Sequence, residues 1–500
     1  MILILLLALP LIAAVLSAIL PVHRAAQTAT VVSSLVVLIL AIGVALRVSA
    51  GTFVGTASVA TSLSVIPGFL VADGLSALIV ALVALIGATA AIYSWGYMER
   101  TCAETPARLR IYYANYNVFL FAMLAIPLIA EPTLVWIFVE LTTLSSALLV
   151  SFENTREALE AAWKYVTLSL MGAGIALLGF LMLFAALEAA GGATYSWAGL
   201  LAAAPRMPAP LIATAFLLIL VGFGTKVGLV PLHTWLPDAH SQAPSPICAL
   251  LSGIETTTVL YVILRLLPIL RASPAAAVAH WMPTCGLVSV GVAALLLLQV
   301  RDYKRLFAFS TVEHMGIILV AAGLGSSAGE YGALYQIVCH AVTKSFCFFA
   351  AGSALLTVTT REIASVRGLI RKSRPAAASL LLGGLAIGGA PPLAVFLSEF
   401  SILKAGFAEG QYATMALLAL FIAIAFFGIL LHINGMVFGA AGNPALPFGG
   451  TVPGSTAAVR LPRTCLAMLV VGGALVILLG LYLPSPINHL LRLASGASSG

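Results

Sequence analysis

The sequence predicts an all-α polytopic membrane protein with about fourteen transmembrane helices. Of its 500 residues, 61% are hydrophobic and only 8% are charged, and the mean hydropathy is +1.11. A soluble domain would carry about 25% charged residues. Apolar runs of roughly 18 or more residues recur along the whole chain, and a run of this length crosses a bilayer as a helix. These runs are too long for barrel strands, which alternate over about 10 residues.

The apolar runs define the fourteen helices, which we number in chain order. The first run, residues 1–21, has no basic residue before it, so we expect an uncleaved helix rather than a signal peptide. The longest connections, 48–69, 188–208 and 440–463, are rich in Gly, Ala and Ser and leave no room for a soluble domain. The predicted helices span residues 2–22, 29–47, 70–96, 110–129, 131–152, 163–187, 209–230, 243–268, 280–299, 305–324, 329–357, 377–403, 413–439 and 464–483.

The positive charges follow the loops unevenly. Three of the 24 Lys and Arg residues, namely Lys164, Lys226 and Lys344, fall inside predicted helices. Odd-numbered loops hold 15 of the others, and even-numbered loops with the C-terminal tail hold six. The positive-inside rule then predicts that both termini are periplasmic in a prokaryotic inner membrane. The same asymmetry accounts for the net charge of +7 without any nucleic-acid partner.

The cysteines predict no redox or metal centre. Six cysteines are scattered along the chain without a Cys-x-x-Cys pair, and most lie in apolar runs, where cysteine behaves as a small hydrophobe. No haem, iron–sulfur or zinc motif is present. We therefore expect no cofactor and no metal bound by this chain itself.

Two helices are interrupted by glycine and proline at membrane depth. In "FGTKVGLVPLHTWLPDAHSQAPSP" (223–246), a lysine is followed by Gly228, Pro231 and Pro237, which break helix 7. In "LLLGGLAIGGAPPLAVFLSEFSILKAG" (380–406), two glycines and two prolines break helix 12. The broken helices are five apart, so they run in opposite directions. Paired broken helices of opposite direction indicate inverted repeats around a transport site.

Ionisable residues inside the helices are candidate functional groups, because exposing one to lipid costs at least about 2.5–3.5 kcal/mol. Glu140 lies in the middle of helix 5, and Lys226 lies just before the break in helix 7. We expect these two to form a pair, in which the lysine exchanges a proton near neutral pH. The alternatives are a structural hydrogen bond for Glu140 and a lysine that snorkels to the interface.

Further candidates lie in helices 8, 11 and 12. His340 and Lys344 are four residues apart, share one face of helix 11 and predict a proton relay. Glu399, after the second break, mirrors Lys226; the alternative is a solvated helix end. Glu255 is central in helix 8. His233, after the first break, is a proton carrier or a loop hydrogen-bonder.

Two more histidines give weaker signals. His240 has the same two alternatives as His233. Glu313 and His314 are adjacent in helix 10, and adjacent helical residues point about 100° apart, so at most one of them faces a given path.

The quoted motifs resemble a known family. "KVGLVPLHTWLPDAHSQAPSP" (226–246), "FVE" (138–140) and "HAVTKSFCFFAAG" (340–352) are similar to motifs of the antiporter-like membrane subunits of respiratory complex I and of multi-subunit cation/proton antiporters. The resemblance covers about residues 70–440. "DAHSQAPSPICALLSG" (238–253), "STVEHMG" (310–316) and "GAPPLAVFLSEF" (389–400) most resemble the F component of hydrogenase-4 and related formate hydrogenlyase membrane arms.

The resemblance implies two inverted five-helix repeats, helices 4–8 and 9–13. It divides the chain into N-terminal helices (1–109), a first repeat (110–268), a second repeat (280–439) and a C-terminal loop, helix 14 and tail (440–500). It also implies a central axis of Glu, Lys and His: Glu140 with Lys226, His340 with Lys344, and Glu399. One departure is that a lysine position of helix 8 falls on Thr257. Either Glu255 takes over the bridge between the halves together with water, or the axis is interrupted there.

The resemblance implies a proton-translocating subunit of a complex I-like, hydrogenase-4-type assembly. Its partners would be the lipid bilayer, other membrane subunits and, through them, a peripheral redox arm. The chain would then be a subunit of a membrane-bound oxidoreductase without a redox centre of its own. The alternatives are a subunit of a multi-subunit Na⁺/H⁺ antiporter and a non-pumping membrane partner in inorganic-carbon uptake.

Overall fold

The computed structural model describes residues 1–50, 63–66, 69–102, 106–440 and 460–496, and it confirms the all-helical polytopic fold class. Within these residues, thirteen helices are long and apolar enough to cross a bilayer. The remaining predicted span, helix 12, is present as two shorter helices, Arg374–Ile387 and Ala394–Ala408. The unbroken spans are Ile2–Ile19, His23–Ala50, Gly74–Cys102, Pro106–Ala125, Pro132–Val150, Arg156–Ala189, Trp281–Leu297, Tyr303–Ala322, Ser327–Val358, Tyr412–Phe438 and Arg463–Leu481.

Helix 6 begins seven residues earlier than predicted. Its N-cap is Thr155, whose side chain accepts a hydrogen bond from the backbone N–H of Ala158. A threonine in this position satisfies one of the free N–H groups of the first turn. In the charged stretch 151–165, Glu160 and Lys164 form an i,i+4 ion pair at 2.7 Å. The charged stretch is therefore the first part of the membrane helix itself.

Several short elements were not predicted, among them the helix Trp197–Ala203 in the predicted loop 188–208. An antiparallel hairpin joins Leu63–Ile66 in the predicted loop 48–69 to Leu70–Ala72, where helix 3 was predicted to begin. Helix 3 begins instead at Gly74. Residues 51–62 and 67–68 lie outside the described residues. Most of the predicted loop 440–463, residues 441–459, also lies outside them. After helix 14, the segment predicted as the C-terminal tail contains the amphipathic helix Ser485–Ser495, which packs on helices 3 and 11.

The predicted break in helix 7 is present, and its freed backbone groups are bonded to protein. The first part, Ala209–Val227, ends at Gly228 with a positive φ of 88°, and the chain becomes helical again at Trp235–Gln242. The indole N–H of Trp235 donates to the carbonyl of Thr225 at 2.7 Å. The N–H of Val230 donates to the hydroxyl of Ser289 at 3.1 Å. Irregular backbone at membrane depth is tolerated when it is satisfied in this way.

The break in helix 12 is also present. The first part ends at Ile387, and Gly389 follows with a φ of 79°. The carbonyl of Ile387 accepts a hydrogen bond from Nε2 of His314 at 3.0 Å. The second break therefore lies beside an ionisable side chain of helix 10. The division into two inverted repeats stays a prediction.

Helix 8 contains an irregularity that the sequence did not predict. Leu251–Glu255 is a π-helical segment between Ser245–Leu250 and Thr256–Ala272. One π turn inserts an extra residue and so rotates the two flanking parts of the helix by about 100° relative to each other. All five residues of the segment are buried.

Helices 6 and 7 are held close by two glycines. A Cβ on Gly172 would collide with the hydroxyl of Thr225 and lie 2.5 Å from the carbonyl oxygen of Gly222. A Cβ on Gly222 would lie 2.5 Å from the backbone nitrogen of Ala176. Small residues allow this approach of two backbones in a membrane protein. The contact fixes Thr225, the residue before Lys226.

We therefore expect Gly172→Val to lower the thermal unfolding temperature of the purified protein, because overpacking costs about 1–3 kcal/mol. Gly174→Val is the matched control, because Gly174 lies in the same helix and a Cβ there meets nothing within 4 Å. Its effect should stay within about 0.5 kcal/mol. Equal unfolding temperatures for the two variants would contradict the close contact of helices 6 and 7.

Candidate functional site

Five of the predicted site residues lie deep inside the protein. Lys226, Glu255, His340, Lys344 and Glu399 are each at most 5% exposed. Charged groups in such positions require charged or hydrogen-bonding partners, because their desolvation costs several kcal/mol. The partners of these groups therefore define the site.

Lys226 is surrounded by helices 5, 6 and 8. Its Nζ lies 3.2 Å from Oε1 of Glu255, and both side chains are 2% exposed. Nζ also donates to the carbonyl of Val139 at 3.0 Å and to the hydroxyl of Thr143. It lies 5.8 Å from the ring centroid of Tyr165. The ammonium thus has a carboxylate, two neutral acceptors and an aromatic face.

The expected pairing of Lys226 with Glu140 is wrong in this structure. Within the described residues, Glu255 rather than Glu140 lies in ion-pair distance of Lys226. Helix 5 instead turns the carbonyl of Val139 and the hydroxyl of Thr143 toward the lysine. Both carboxylate oxygens of Glu140 are buried without a hydrogen-bond partner in the described structure, although Glu140 interacts electrostatically with Lys226 and Glu255.

The π segment of helix 8 contacts both halves of the molecule. Its last residue, Glu255, pairs with Lys226. Its second residue, Ser252, accepts a hydrogen bond at its carbonyl from Nε2 of His340 at 3.0 Å. The hydroxyl of Thr257 donates to the carbonyl of Ile254 at 2.9 Å, within its own helix. A single turn of helix 8 therefore lies between Lys226 and His340, while Thr257 takes no part.

Beyond helix 8, neutral groups continue the line of contacts. The rings of His340 and His314 lie 5.1 Å apart. Nε2 of His314 donates to the carbonyl of Ile387, so in the neutral ring the other nitrogen, Nδ1, has no hydrogen. Nδ1 accepts a hydrogen bond from the amide of Gln336 at 2.8 Å. The amide oxygen of Gln336 accepts from the hydroxyl of Ser398. The line thus reaches helix 12 next to Glu399.

Gln336 and Ser398 are site residues that the sequence did not reveal. Neither side chain is ionisable, so neither carries the burial cost that identified the other residues. The available signal was spacing, because Gln336 lies four residues before His340 on the same face of helix 11.

Of the adjacent pair in helix 10, His314 lies in this network. Glu313 has different neighbours and interacts electrostatically with Lys344 and Glu399.

Lys344 has surroundings similar to those of Lys226. Its Nζ donates to the carbonyl of Phe307 at 3.0 Å and to the hydroxyl of Ser310 at 2.5 Å, both in helix 10. Glu399 lies against the backbone of the second break, where a Cβ on Gly389 would collide with its carboxylate. Lys344 therefore contacts helix 10, and Glu399 lies at the break in helix 12.

The histidines near the first break have different positions. His233 is half-buried, and its Nδ1 has no hydrogen-bond partner in the described structure. Among the described residues, no contact joins His233 to the line of groups from Lys226 to Ser398. His240 is fully buried, and its Nδ1 donates to the carbonyl of Leu236 at 2.7 Å. Its ring packs on Phe348 of helix 11, with centroids 5.5 Å apart.

A third buried lysine, Lys304, lies at a position that the sequence assigns to a loop. It is 1% exposed, and its Nζ donates to the carbonyls of Ser241 at 3.0 Å and Ala243 at 2.5 Å. These carbonyls lie at the C-terminal end of the short helix Trp235–Gln242, where a cation is favoured. Lys304 therefore holds this helix in place.

The site is a line of acid, base and amide groups across the membrane helices. Among the residues that the structure describes, no group of three or more His, Cys, Asp and Glu side chains could hold a metal ion.

The chain belongs to the membrane-subunit family described as NADH:quinone oxidoreductase/Mrp antiporter, whose family model matches residues 131–426. A second model, described as complex I chain 5 N-terminus, matches residues 59–105. A hydrogenase-4 component F homolog from Methylacidiphilum infernorum is 38% identical over 389 residues, which are 76% of this chain and 82% of that protein. These matches confirm the family resemblance seen in the sequence.

Solved structures show the same fold. A chain of the membrane-bound sulfane sulfur reductase, an archaeal respiratory membrane complex, aligns with a TM-score of 0.84 at 24% identity, over 99% of this chain and 97% of that one. A chain of the Mrp complex from Dietzia sp. DQ12-45-1b aligns with the same TM-score at 21% identity, over 99% and 96%. Both are chains of membrane complexes.

Proposed function

We propose that this protein is a proton-translocating membrane subunit of a complex I-like, hydrogenase-4-type assembly. The observation that carries the proposal is the line of contacts from Lys226 through Glu255 and Ser252 to His340 and His314. It crosses from helix 7 to helix 10 inside the protein. Each charged or imidazole member of it can gain or lose a proton.

Unpartnered acceptor atoms in this line and beside it support proton movement. Oε2 of Glu255, Nδ1 of His340, Oε2 of Glu313 and both oxygens of Glu140 are buried without a hydrogen-bond partner in the described structure. An acceptor that makes no hydrogen bond in a buried site gains much by binding a proton or a water molecule. These atoms are therefore the places where we expect protons to reside during transfer.

The ion pair couples the first two groups of the line, Lys226 and Glu255. When Glu255 is ionised, it stabilises the charged form of Lys226 at 3.2 Å. When Glu255 takes a proton, Lys226 is left with the neutral acceptors of helix 5 and with Glu140 as its remaining carboxylate. A buried charge without its partner is costly. Protonation of Glu255 therefore favours release of a proton from Lys226.

The driving force would come from other chains. We expect no redox centre in this subunit. Electron transfer would therefore take place in a peripheral redox arm, and neighbouring membrane subunits would transmit its effect to the charges at the end of the line. The similarity to a hydrogenase-4 component F homolog supports this version of the proposal. The second candidate is a Na⁺/H⁺ antiporter subunit, which the family description supports because it includes Mrp antiporters.

Proton translocation by the whole complex in proteoliposomes tests the proposal. We expect Lys226→Met and Lys344→Met to reduce translocation per turnover at least about tenfold, because each removes a positioned proton-transfer group. Lys404→Met is the control, because Lys404 is exposed at the end of helix 12. Unchanged proton translocation in both Lys226→Met and Lys344→Met, with assembly intact, would contradict the proposal. Proton movement that requires Na⁺ gradients instead of turnover would favour the antiporter.

We also propose that the protein lies in a prokaryotic inner membrane with both termini in the periplasm. The proposal rests on the 15 positive charges in odd-numbered loops against six in even-numbered loops and the tail. A reporter that is active only in the cytoplasm should therefore be silent when fused to the C-terminus and active in the loop at 361–373. The reverse pattern would contradict the orientation.

A further inference from the structure

Tyr165 in helix 6 makes a contact that the line of proton carriers does not use. Its hydroxyl donates to Oε1 of Glu255 at 2.9 Å, and its side chain is fully buried. Oε1 is also the oxygen that lies 3.2 Å from Nζ of Lys226. Two donors therefore converge on one carboxylate oxygen, while Oε2 of the same carboxylate is buried without a hydrogen-bond partner in the described structure.

The hydroxyl of Tyr165 is held in a fixed position. It lies 2.8 Å from the hydroxyl of Ser146 in helix 5. An ionised carboxylate can only accept, so the proton of Tyr165 points to Glu255. The single hydrogen of the Ser146 hydroxyl is shared between the tyrosine oxygen and the carbonyl of Thr142, which lies 2.6 Å from the serine oxygen. The ring packs against Trp235, with centroids 4.5 Å apart, and Trp235 is tied to the carbonyl of Thr225. The hydroxyl cannot easily turn away.

This geometry makes the two oxygens of Glu255 unequal. Oε1 already accepts from an ammonium and a phenol, so a proton added to it would displace one of these donors. Oε2 has an unused lone pair, and a proton added there forms an O–H bond without breaking an existing hydrogen bond. The carboxylate loses its negative charge, and the C=O that remains is Oε1, still bonded to Tyr165.

We propose that Tyr165 is a positioning residue that directs the proton of Glu255 to Oε2. The inference rests on the proposed function, because it concerns a step within the same proton line. Glu255 thereby contacts Lys226 through Oε1 and exchanges protons with the groups on the His340 side through Oε2. The proton comes from the side of His340 and reaches Oε2 through a water molecule, because the carbonyl of Ser252 that His340 contacts does not carry protons.

Infrared spectroscopy of the whole complex at acidic pH distinguishes the two oxygens. The carboxyl C=O band of Glu255 is the band that disappears in Glu255→Gln. If the proton is on Oε2, the C=O group accepts from Tyr165, so Tyr165→Phe weakens its hydrogen bonding and shifts the band to higher frequency. In the Tyr165→Phe background the band is identified in the same way, as the one that disappears in the double variant Tyr165→Phe/Glu255→Gln. An unshifted band would overturn the proposal.

Tyr261→Phe is the matched control. Tyr261 lies in helix 8 with Glu255 and is equally buried, but its hydroxyl contacts the carbonyl of Pro127 and the hydroxyl of Ser76, each at 3.3 Å. This variant should leave the band in place. If Tyr165→Phe does not assemble, Ser146→Ala retains the phenol and should give a smaller shift in the same direction, because neighbouring hydrogen bonds strengthen each other.

Translocation provides the functional comparison. We expect the Tyr165→Phe complex to translocate protons at least about tenfold more slowly than the Tyr261→Phe complex. The reason is that Tyr165→Phe removes a hydrogen bond to a charged group. Translocation equal to that of Tyr261→Phe would count against the role of Tyr165. A wild-type complex that moves no protons would refute the proposed function, while the infrared band would still report which oxygen of Glu255 binds the proton.

Discussion

The ion pair of Lys226 and Glu255 is the interaction on which the rest of the site depends. Two opposite charges this far from water are stable only when they are paired and their remaining donors and acceptors are satisfied. Val139 and Thr143 supply acceptors from helix 5, and helix 6 supplies Tyr165. The break in helix 7 begins two residues after the lysine, and the π segment of helix 8 ends at the glutamate. The irregular backbone is therefore found where the buried charges are.

The character of the proposed proton line changes at helix 8. On one side the contacts are between an ammonium and a carboxylate; on the other they are between imidazole, amide and hydroxyl groups. Lys344 lies beside this neutral network and is solvated by a carbonyl and a hydroxyl of helix 10. A charge that forms or disappears on Glu255 is thus felt strongly by Lys226. The second half can pass protons on without separating a second tight ion pair.

The sequence predicted the fold because its signals are local. Long apolar runs define helices, and the glycines and prolines at 228–237 and 388–392 define the breaks. It also identified Lys226, Glu255, His340, Lys344 and Glu399 as buried, because their lipid exposure would be costly. It assigned the wrong partner to Lys226, since a π turn leaves no mark on residue spacing and changes the helical phase by about 100°. Gln336 and Ser398 were missed because neutral side chains carry no such cost.

The most direct test of the central claim is a double-mutant cycle on thermal stability. If Glu255 is the partner of Lys226, then Lys226→Met and Glu255→Gln each destabilise the protein, while the double variant loses much less than the sum. Residues in contact give coupling energies of about 0.5–3 kcal/mol. The corresponding cycle of Lys226→Met with Glu140→Gln should give a smaller coupling. A larger coupling of Lys226 to Glu140 than to Glu255 would contradict the account.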